Sequence, residues 1–200
     1  DILEGNRKMG IIDNPILEND KFFSLASIGG FIDGWSLVIP KEHTYSMRKF
    51  FLDSAFVDIA NKMLKRIRDA YRKKSIIFEH GANHEGSIIA CGTNHAHLHI
   101  IPYEKSLLKQ MFHDDSVQWI ECKITDVERI VQNKEYWFYA ENVVDIEDAK
   151  GYIHIIEKSE SQYFRRLLAE KEGYTKEYDY KCNLFLDKGE ATYASLVKKY

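Results

Sequence analysis

The spacing of apolar and polar positions predicts a sheet crossed by one long helix in the first half of the chain. Apolar runs over 22–28 and 35–40 are separated by glycine-containing turns, a pattern typical of two strands joined as a hairpin. Over 46–74, apolar residues recur every three or four positions, as in a helix that packs on a sheet. The members of this stripe are Leu52, Phe56, Ile59, Met63, Ile67 and Ala70.

The rest of the chain carries weaker patterns. In chain order, the remaining predicted elements are strands at 75–79, 94–103, 135–141 and 152–156 and helices at 161–173 and 191–199. Ser161 is a candidate N-cap of the first of these helices, and Gly173 is a candidate stop signal. We therefore expect an α+β fold with one domain over 1–110 and a C-terminal α/β extension over 111–200, packed on the same unit.

Composition indicates an ordinary globular protein. With 44% hydrophobic and 30% charged residues, the 200-residue chain can bury a core, which excludes a disordered or collagenous chain. Its three cysteines, Cys91, Cys122 and Cys182, are far apart and in no C-x-x-C pair, so we expect a reducing, cytoplasmic location without a disulfide framework. The sequence starts at Asp1 without a methionine or a signal pattern, so we expect it to be a segment of something longer.

Hydropathy and charge argue against two classes of partner. The longest stretch free of Asp, Glu, Lys and Arg, 86–103, contains three histidines, so we expect no membrane-spanning segment. A net charge of −3 lacks the basic excess that general nucleic-acid binding requires. Basic residues concentrate over 46–74 and acidic residues over 114–148, and we interpret both as solvated faces rather than as a binding surface.

The most informative segment is 94–102, with the sequence N-H-A-H-L-H-I-I-P. Side chains alternate along a strand, so His95, His97 and His99 are expected on one face and the apolar residues between them on the other. Packing does not explain three imidazoles on one face, because each buried ring must satisfy two nitrogens. We therefore expect these histidines to carry a function.

Two kinds of site could use this arrangement. Two imidazoles of an H-x-H strand can bind zinc, with a third ligand such as His43. In a regular strand the backbones of His95 and His99 would be about 13 Å apart, so all three cannot ligate one ion. Nucleophilic catalysis uses every member, because a neutral imidazole can attack phosphorus while its neighbours donate hydrogen bonds to phosphoryl oxygens. We expect His97 to be the nucleophile, with no metal or other cofactor; a metal-dependent enzyme stays the alternative.

The segment 95–101, H-A-H-L-H-I-I, resembles the signature of the histidine triad (HIT) superfamily of nucleotide hydrolases and transferases. Upstream, 34–43 (G-W-S-L-V-I-P-K-E-H) is similar to the G-H-x-L-V-I-P-K-x-H segment of that family, in the right order. The two motifs lie within about 22–103. The resemblance implies a twisted antiparallel sheet of about five strands with one long helix, often paired as a homodimer, followed here by the extension.

Other segments resemble a bacterial-type branch of HIT-like proteins, namely E-H-G at 79–81 and S-Q-x-x-R-R at 161–166. Two features depart from the family pattern. Trp35 stands where the family usually has histidine, and no acid stands clearly where many relatives hold the ribose hydroxyls. The third triad position is His99 rather than glutamine, which disfavours the nucleotidyltransferase branch and favours hydrolysis.

The resemblance implies that His97 attacks the α-phosphorus of a nucleotide derivative and that water cleaves the resulting nucleotidyl-imidazole. His99 would donate to the phosphoryl oxygens, His95 would orient His97 through its carbonyl, and His43 would support the leaving group. The residues implied in substrate binding are Glu79, Gly81, Thr93, Asn94, Gln162 and Arg165, with Arg166 also expected near the pocket. A HIT-like nucleotide-binding module with little turnover and a nucleotidyltransferase stay open as alternatives.

Overall fold

The computed structural model describes residues 9–90, 94–157 and 160–198. Its strands are β1 (Leu17–Glu18), β2 (Phe22–Ala26), β3 (Ser36–Pro40), β4 (Ser75–Gly81), β5 (Leu98–Pro102), β6 (Ile120–Lys123), β7 (Tyr136–Val143) and β8 (Lys150–Ile155). Its α-helices are α1 (Ser54–Tyr71), α2 (Leu108–Met111), α3 (Val127–Val131), α4 (Tyr163–Lys171) and α5 (Leu186–Leu196). The predicted α+β class is confirmed.

The described strands form one eight-stranded sheet in the order β1-β2-β3-β5-β4-β7-β8-β6, and every neighbouring pair is antiparallel. The prediction of about five strands is wrong because β7 pairs along β4, from Gly81↔Tyr136 to Ser75↔Val143, so that the later strands lengthen the sheet. The short strands β1 and β6 had no clear pattern in the sequence. Strands from 1–110 and from 111–200 thus share one hydrogen-bonded sheet.

Helix α1 covers one face of this sheet. Oδ1 of Asp53 accepts a hydrogen bond from the N–H of Ala55 at 2.8 Å and caps the helix, which ends at Arg72 in the left-handed region (φ 57°). The helix is therefore shorter than the predicted segment 46–74, whose residues 48–50 form a 3₁₀ turn. Leu52 lies before the cap and is 71% exposed, so its assignment to the apolar stripe is wrong.

The opposite face carries an aromatic cluster that the C-terminal half covers. Strand alternation separates the two faces: Ile77 and Leu98 join the core under α1, whereas Phe78 lies in the other core with His99 stacked on it. Phe164 and Leu168 of α4 and Met111 of α2 pack on this second face. Helix α4 thereby covers the face of the sheet on which His99 lies.

Two helix boundaries in the C-terminal half differ from the prediction. Helix α4 starts after Gln162, which is in the left-handed region (φ 57°), rather than after a Ser161 cap. Helix α5 spans Leu186–Leu196 instead of 191–199. None of the described helices combines the length and the apolar character that a membrane crossing needs. Cys122 and Cys182 are free thiols, and Cys91 lies outside the described residues.

Candidate functional site

The three triad histidines sit on two kinds of backbone. The predicted strand over 94–103 is wrong at its start, because β5 begins at Leu98. His99 therefore lies on the strand, while His95 and His97 lie in the irregular segment that leads into it. The expectation that all three side chains alternate as in one strand therefore applies to His99 but not to His95 and His97.

Hydrogen bonds hold this irregular segment against the end of β3. The N–H of Ala96 donates to the carbonyl oxygen of Thr44 at 2.7 Å, and Nε2 of His95 bonds to the carbonyl oxygen of Pro40 at 2.8 Å. A carbonyl oxygen can only accept, so Nε2 of His95 carries the proton. The His95 ring is thus used to fix the backbone, and its own carbonyl is left to face the next histidine.

That carbonyl accepts a hydrogen bond from Nδ1 of His97 at 2.9 Å. Because the oxygen cannot donate, the proton of the neutral His97 ring is on Nδ1 and the lone pair is on Nε2. The geometry provides the contact through which His95 would orient His97. It leaves His97 with a nucleophilic nitrogen on the side of the ring away from the backbone.

His99 has the complementary arrangement of donor and acceptor. Its Nδ1 lies 2.9 Å from Nε1 of Trp35, an indole N–H that can only donate. The neutral His99 ring therefore carries its proton on Nε2. Its ring stacks on Phe78 with centroids 4.2 Å apart and lies 4.7 Å from the His97 ring.

In His97 and in His99, Nε2 is the ring nitrogen that has no hydrogen-bond partner among the described residues. In the described part of the chain, the fully sealed side-chain polar atoms without a partner are Gln110 Oε1 and Trp137 Nε1. Nε2 of His97 and Nε2 of His99 are not among them, although no protein group described here bonds to either. The two adjacent rings thus present one acceptor nitrogen and one donor nitrogen, a combination that can interact with a phosphoryl group.

His97 and His99 are held neutral. Burial lowers the pKa of His97 below its usual value, and burial lowers the pKa of His99 still further, with the neighbouring imidazoles and Arg165 adding repulsion. Nε2 of His97 is therefore unprotonated at neutral pH. The guanidinium of Arg165 leaves this neutral group of rings in a positive field, which suits an anionic ligand.

His43 lies at the outer edge of the site. Its exposed ring contacts the His95 ring edge to face, with centroids 5.3 Å apart, and contacts Tyr45 in the same way at 5.2 Å. This places His43 beside the triad, as the second motif of the resemblance implies. Within the described ranges, no set of three or more His, Cys, Asp or Glu side chains is arranged to hold a metal ion.

Glu79 and Gly81 lie near the triad in sequence but belong to the other face of the sheet. The Glu79 carboxylate accepts hydrogen bonds from the N–H of Met47 and the hydroxyl of Tyr136. Burial raises the pKa of Glu79 to about 7, against these two bonds, which favour its charged form. A Cβ on Gly81 would lie 2.2 Å from the Tyr136 ring, so this glycine makes room for that ring.

The loop before the triad is only partly described. Thr93 lies outside the described residues. Asn94 is in the left-handed region (φ 46°), and its Oδ1 accepts a hydrogen bond from the N–H of Gly86 at 3.0 Å. Asn94 therefore ties the glycine-containing loop to the start of the triad segment.

Arg165 is buried beside the triad and makes bonds to protein carbonyls. Its Nε donates to Tyr178 O at 2.9 Å, and one terminal nitrogen donates to Gly29 O. The guanidinium carbon lies 4.6 Å from the centre of the Trp35 ring. Arg165 thus reaches the site through Trp35, and its charge acts on His97.

The two neighbours of Arg165 in the predicted set have different surroundings. The side chain of Gln162 is buried, donates to Asp179 Oδ1 at 3.2 Å and accepts from the N–H of Tyr180 at 3.4 Å, so it fastens the segment after α4. Arg166 is half-buried and pairs with Glu160. Its charge is one of those that act on His80, which places it at the rim of the same region.

His80 is a residue of the site to which the sequence analysis assigned no role. It follows Phe78 by two positions on β4 and therefore lies on the face of His99, with the two imidazole centroids 6.4 Å apart. Its Nε2 accepts a long hydrogen bond from the N–H of Phe164 at 3.4 Å, which puts the ring proton on Nδ1. Burial lowers the pKa of His80 to about 3. Alternation along the predicted strand 75–79 was the signal that could have found it.

Comparison with known proteins finds similarity at the level of structure. No family model matches the chain, and no curated protein does. A HIT-like protein involved in cell-cycle regulation from Bartonella henselae, solved with an unknown ligand, matches 46% of this chain and 70% of its own, with 21% identity and a TM-score of 0.36. A hypothetical histidine triad nucleotide-binding protein from Sulfolobus tokodaii matches 46% of this chain and 61% of its own, with 25% identity and a TM-score of 0.35. Both matches cover slightly less than half of the chain.

Proposed function

We propose that this chain is a histidine triad hydrolase that cleaves nucleotide derivatives at the α-phosphorus through a covalent nucleotidyl-histidine. The observation that carries the proposal is the hydrogen bond from Nδ1 of His97 to the carbonyl of His95, which leaves an open lone pair on Nε2. A neutral imidazole with this tautomer is a phosphorus nucleophile. The sequence resemblance to the HIT signature supports the assignment independently of the side-chain geometry.

In the first step, Nε2 of His97 forms a bond to the α-phosphorus, and the bond from phosphorus to the leaving group breaks with its electron pair going to that group. The His97 ring becomes cationic as the bond forms. The His95 carbonyl, at 2.9 Å from Nδ1, stabilises this charge through the hydrogen bond that already exists. In the second step, water attacks the same phosphorus and releases one proton to solvent, and the bond from phosphorus to Nε2 breaks with its electron pair returning to His97, which leaves as the neutral ring.

Two other imidazoles support the reaction. His99 donates from Nε2 to a phosphoryl oxygen, in the way that a donor of an oxyanion hole does. His43, exposed at the edge of the His95 ring, assists on the side of the leaving group. Arg165 contributes a positive field rather than a clamp, because its Nε and one terminal nitrogen already donate to protein carbonyls.

We assign the substrate-binding residues in two groups. Thr93 and Asn94 directly precede the triad in the sequence, and on that ground we assign them to ligand contact, while Gln162 shapes the pocket by fastening the segment after α4. Glu79 and Gly81 have no direct contact with the ligand in this proposal, because they lie on the other face of the sheet, where Glu79 bonds to Met47 and Tyr136 and Gly81 makes room for the Tyr136 ring. A homodimer is part of the proposal on the strength of the resemblance, and sedimentation analysis would measure it.

The proposal is tested by turnover on a panel of adenylated and guanylated compounds whose leaving groups are a second nucleotide, an amine or a sulfate. We expect hydrolysis of at least one of them, unchanged in the presence of a chelator. Product formed only when a second phosphorylated acceptor is supplied would indicate a nucleotidyltransferase. Binding of a non-reactive nucleotide analogue without turnover of any compound would indicate a binding module, and loss of activity in chelator would favour the metal-dependent alternative.

A further inference from the structure

Trp35 and His99 form a buried hydrogen bond between two side chains. The indole Nε1 lies 2.9 Å from Nδ1 of the imidazole, Trp35 is 1% exposed and His99 is 5% exposed. The pair follows from strand register, because Leu37 of β3 is opposite His99 of β5, and Trp35 precedes Leu37 by two positions on the same face. The contact therefore joins β5 to Trp35, which lies immediately before the first residue of β3.

This bond restricts the protonation state of His99. An indole nitrogen has a proton and no lone pair, so it can only donate. If Nδ1 of His99 carried a proton, two N–H groups would face each other in a buried place, whether the ring were neutral or cationic. The tautomer with the proton on Nε2 is the one state that satisfies both rings.

The surroundings also fix the orientation of both rings. The indole makes edge contacts with Phe31 at 5.2 Å and with Phe78 at 5.9 Å, and Arg165 lies over it. The imidazole is stacked on Phe78 with an interplanar angle of 25°. A 180° rotation of the His99 ring would place Cδ2 where Nδ1 now faces the indole, so it would break the hydrogen bond even though the ring stayed stacked on Phe78.

We propose that Trp35 is a positioning residue that holds His99 as a neutral Nε2–H donor aimed at the substrate's phosphoryl group. The inference rests on the proposed function for its substrate, but the hydrogen bond and the tautomer can be measured in the protein alone. Trp35 itself contacts no reacting atom and acts through His99. The position at which the sequence departs from the HIT pattern thus has a role of its own.

Trp35→Phe tests the proposal, because phenylalanine keeps an aromatic ring in the core and removes the N–H. We expect kcat to fall by about tenfold or more while KM changes by less than about threefold, since the donor acts mainly in the transition state. Two-bond ¹H–¹⁵N spectra should show a single His99 tautomer with Nε2 protonated in the wild type. In Trp35→Phe the His99 resonances should shift to those of an imidazole whose Nδ1 lacks a hydrogen bond.

Trp137→Phe is the matched control. Trp137 is also buried on this face of the sheet, but its Nε1 is sealed without a partner in the described structure. Removing that N–H should leave kcat and the His99 resonances unchanged. If Trp35→Phe and Trp137→Phe give the same small effect on both measurements, the proposal is overturned.

If Trp35→Phe folds poorly, a measurement on the wild-type protein tests the hydrogen bond between Trp35 and His99 directly. A nitrogen–nitrogen coupling across the hydrogen bond between Trp35 Nε1 and His99 Nδ1 is expected in ¹⁵N-labelled protein, and its absence would overturn the proposal. If the coupling and the tautomer are observed but no nucleotide is turned over, the proposed function fails while the positioning of His99 by Trp35 stands as a structural finding.

Discussion

The two faces of the sheet use the same strands and bury different chemistry. Under α1 the core is mostly aliphatic and phenylalanine side chains, and its buried acid, Glu79, is used by Met47 and Tyr136. Under α4 the core is aromatic and contains imidazoles and the guanidinium of Arg165. Both faces bury apolar side chains, but the α1 face holds one buried acid, whereas the α4 face holds several imidazoles whose hydrogen bonds assign their tautomers.

This difference arises because side chains alternate between the two faces of the sheet along β4 and β5. Glu79 and Leu98 point to the α1 side, whereas His80 and His99 point to the α4 side. A change on one side should therefore alter stability or chemistry with little effect on the other. The predictions below use this separation, beginning with the largest effect.

His97→Ala should remove nearly all turnover, by at least about 10⁴-fold in kcat, because it deletes the proposed nucleophile. The free energy of unfolding should change little, since His97 is only partly buried. Affinity for a non-reactive nucleotide analogue should stay within about tenfold, or roughly 1.4 kcal/mol.

His113→Ala is the matched control for this variant, because His113 is exposed and lies outside the site. It should keep wild-type kcat. A His97→Ala protein that retains more than about one tenth of the wild-type kcat would contradict the assignment of His97 as the nucleophile.

Phe56→Ala should lower the stability of the protein and leave its turnover unchanged, which is the reverse of the effect expected for His97→Ala. Phe56 is fully buried on the α1 side and contacts Phe22 and Phe51. The cavity should lower the free energy of unfolding by about 3–5 kcal/mol, measured by urea denaturation, while kcat per folded molecule stays unchanged. Leu52→Ala, at an exposed position before the same helix, should change stability by less than about 0.5 kcal/mol. Equal effects of the two variants would contradict the described start of α1.

Glu79→Gln should change the pH dependence of stability. The pKa of Glu79 is raised from 4.5 to about 7 in the folded protein, so its contribution is fully present below pH 4.5 and is lost as the pH rises through 7. Between pH 4.5 and 8 the wild type should lose roughly 3 kcal/mol relative to Glu79→Gln. Parallel stability curves for the two proteins, measured by denaturation at several pH values, would contradict a buried, protonated Glu79.

The smallest expected effect is the pH dependence of turnover near neutrality. The pKa of His97 is lowered below 6.5, so the reactive neutral ring already dominates at pH 6.5 and is lost only as the pH falls further. The acid limb of kcat/KM should therefore lie below pH 6.5. A limb centred above that value would show that the site does not hold His97 neutral.

The elements that the sequence predicted are those whose signals are local. The hairpin, the long helix and the histidine motif follow from periodicity and spacing within a few residues. The Trp35–His99 bond joins positions 64 residues apart and depends on the register of β3 against β5, which no local pattern encodes. The face on which Glu79 lies is different, because alternation along the predicted strand places Glu79 and its neighbour His80 on opposite sides.

The C-terminal half was predicted less well for the same reason. Strand β7 pairs with β4 across more than fifty residues, and α4 contributes Phe164 and Arg165 to a face built by earlier strands. The resemblance implied a role for Arg165 in substrate binding, but no pattern in the sequence indicated that its charge is buried. In the structure its charge is buried because Trp35, Gly29 and Tyr178 surround it.

The most direct test of the central claim is mass spectrometry of the protein quenched in acid-free conditions during turnover of an adenylated or guanylated compound. The account predicts an added nucleoside monophosphate on His97, which is absent from His97→Ala and disappears when substrate is exhausted. An adduct on another histidine would assign the role of nucleophile to that residue instead of His97. Turnover without any adduct, in a quench fast enough to trap the intermediate, would contradict covalent catalysis.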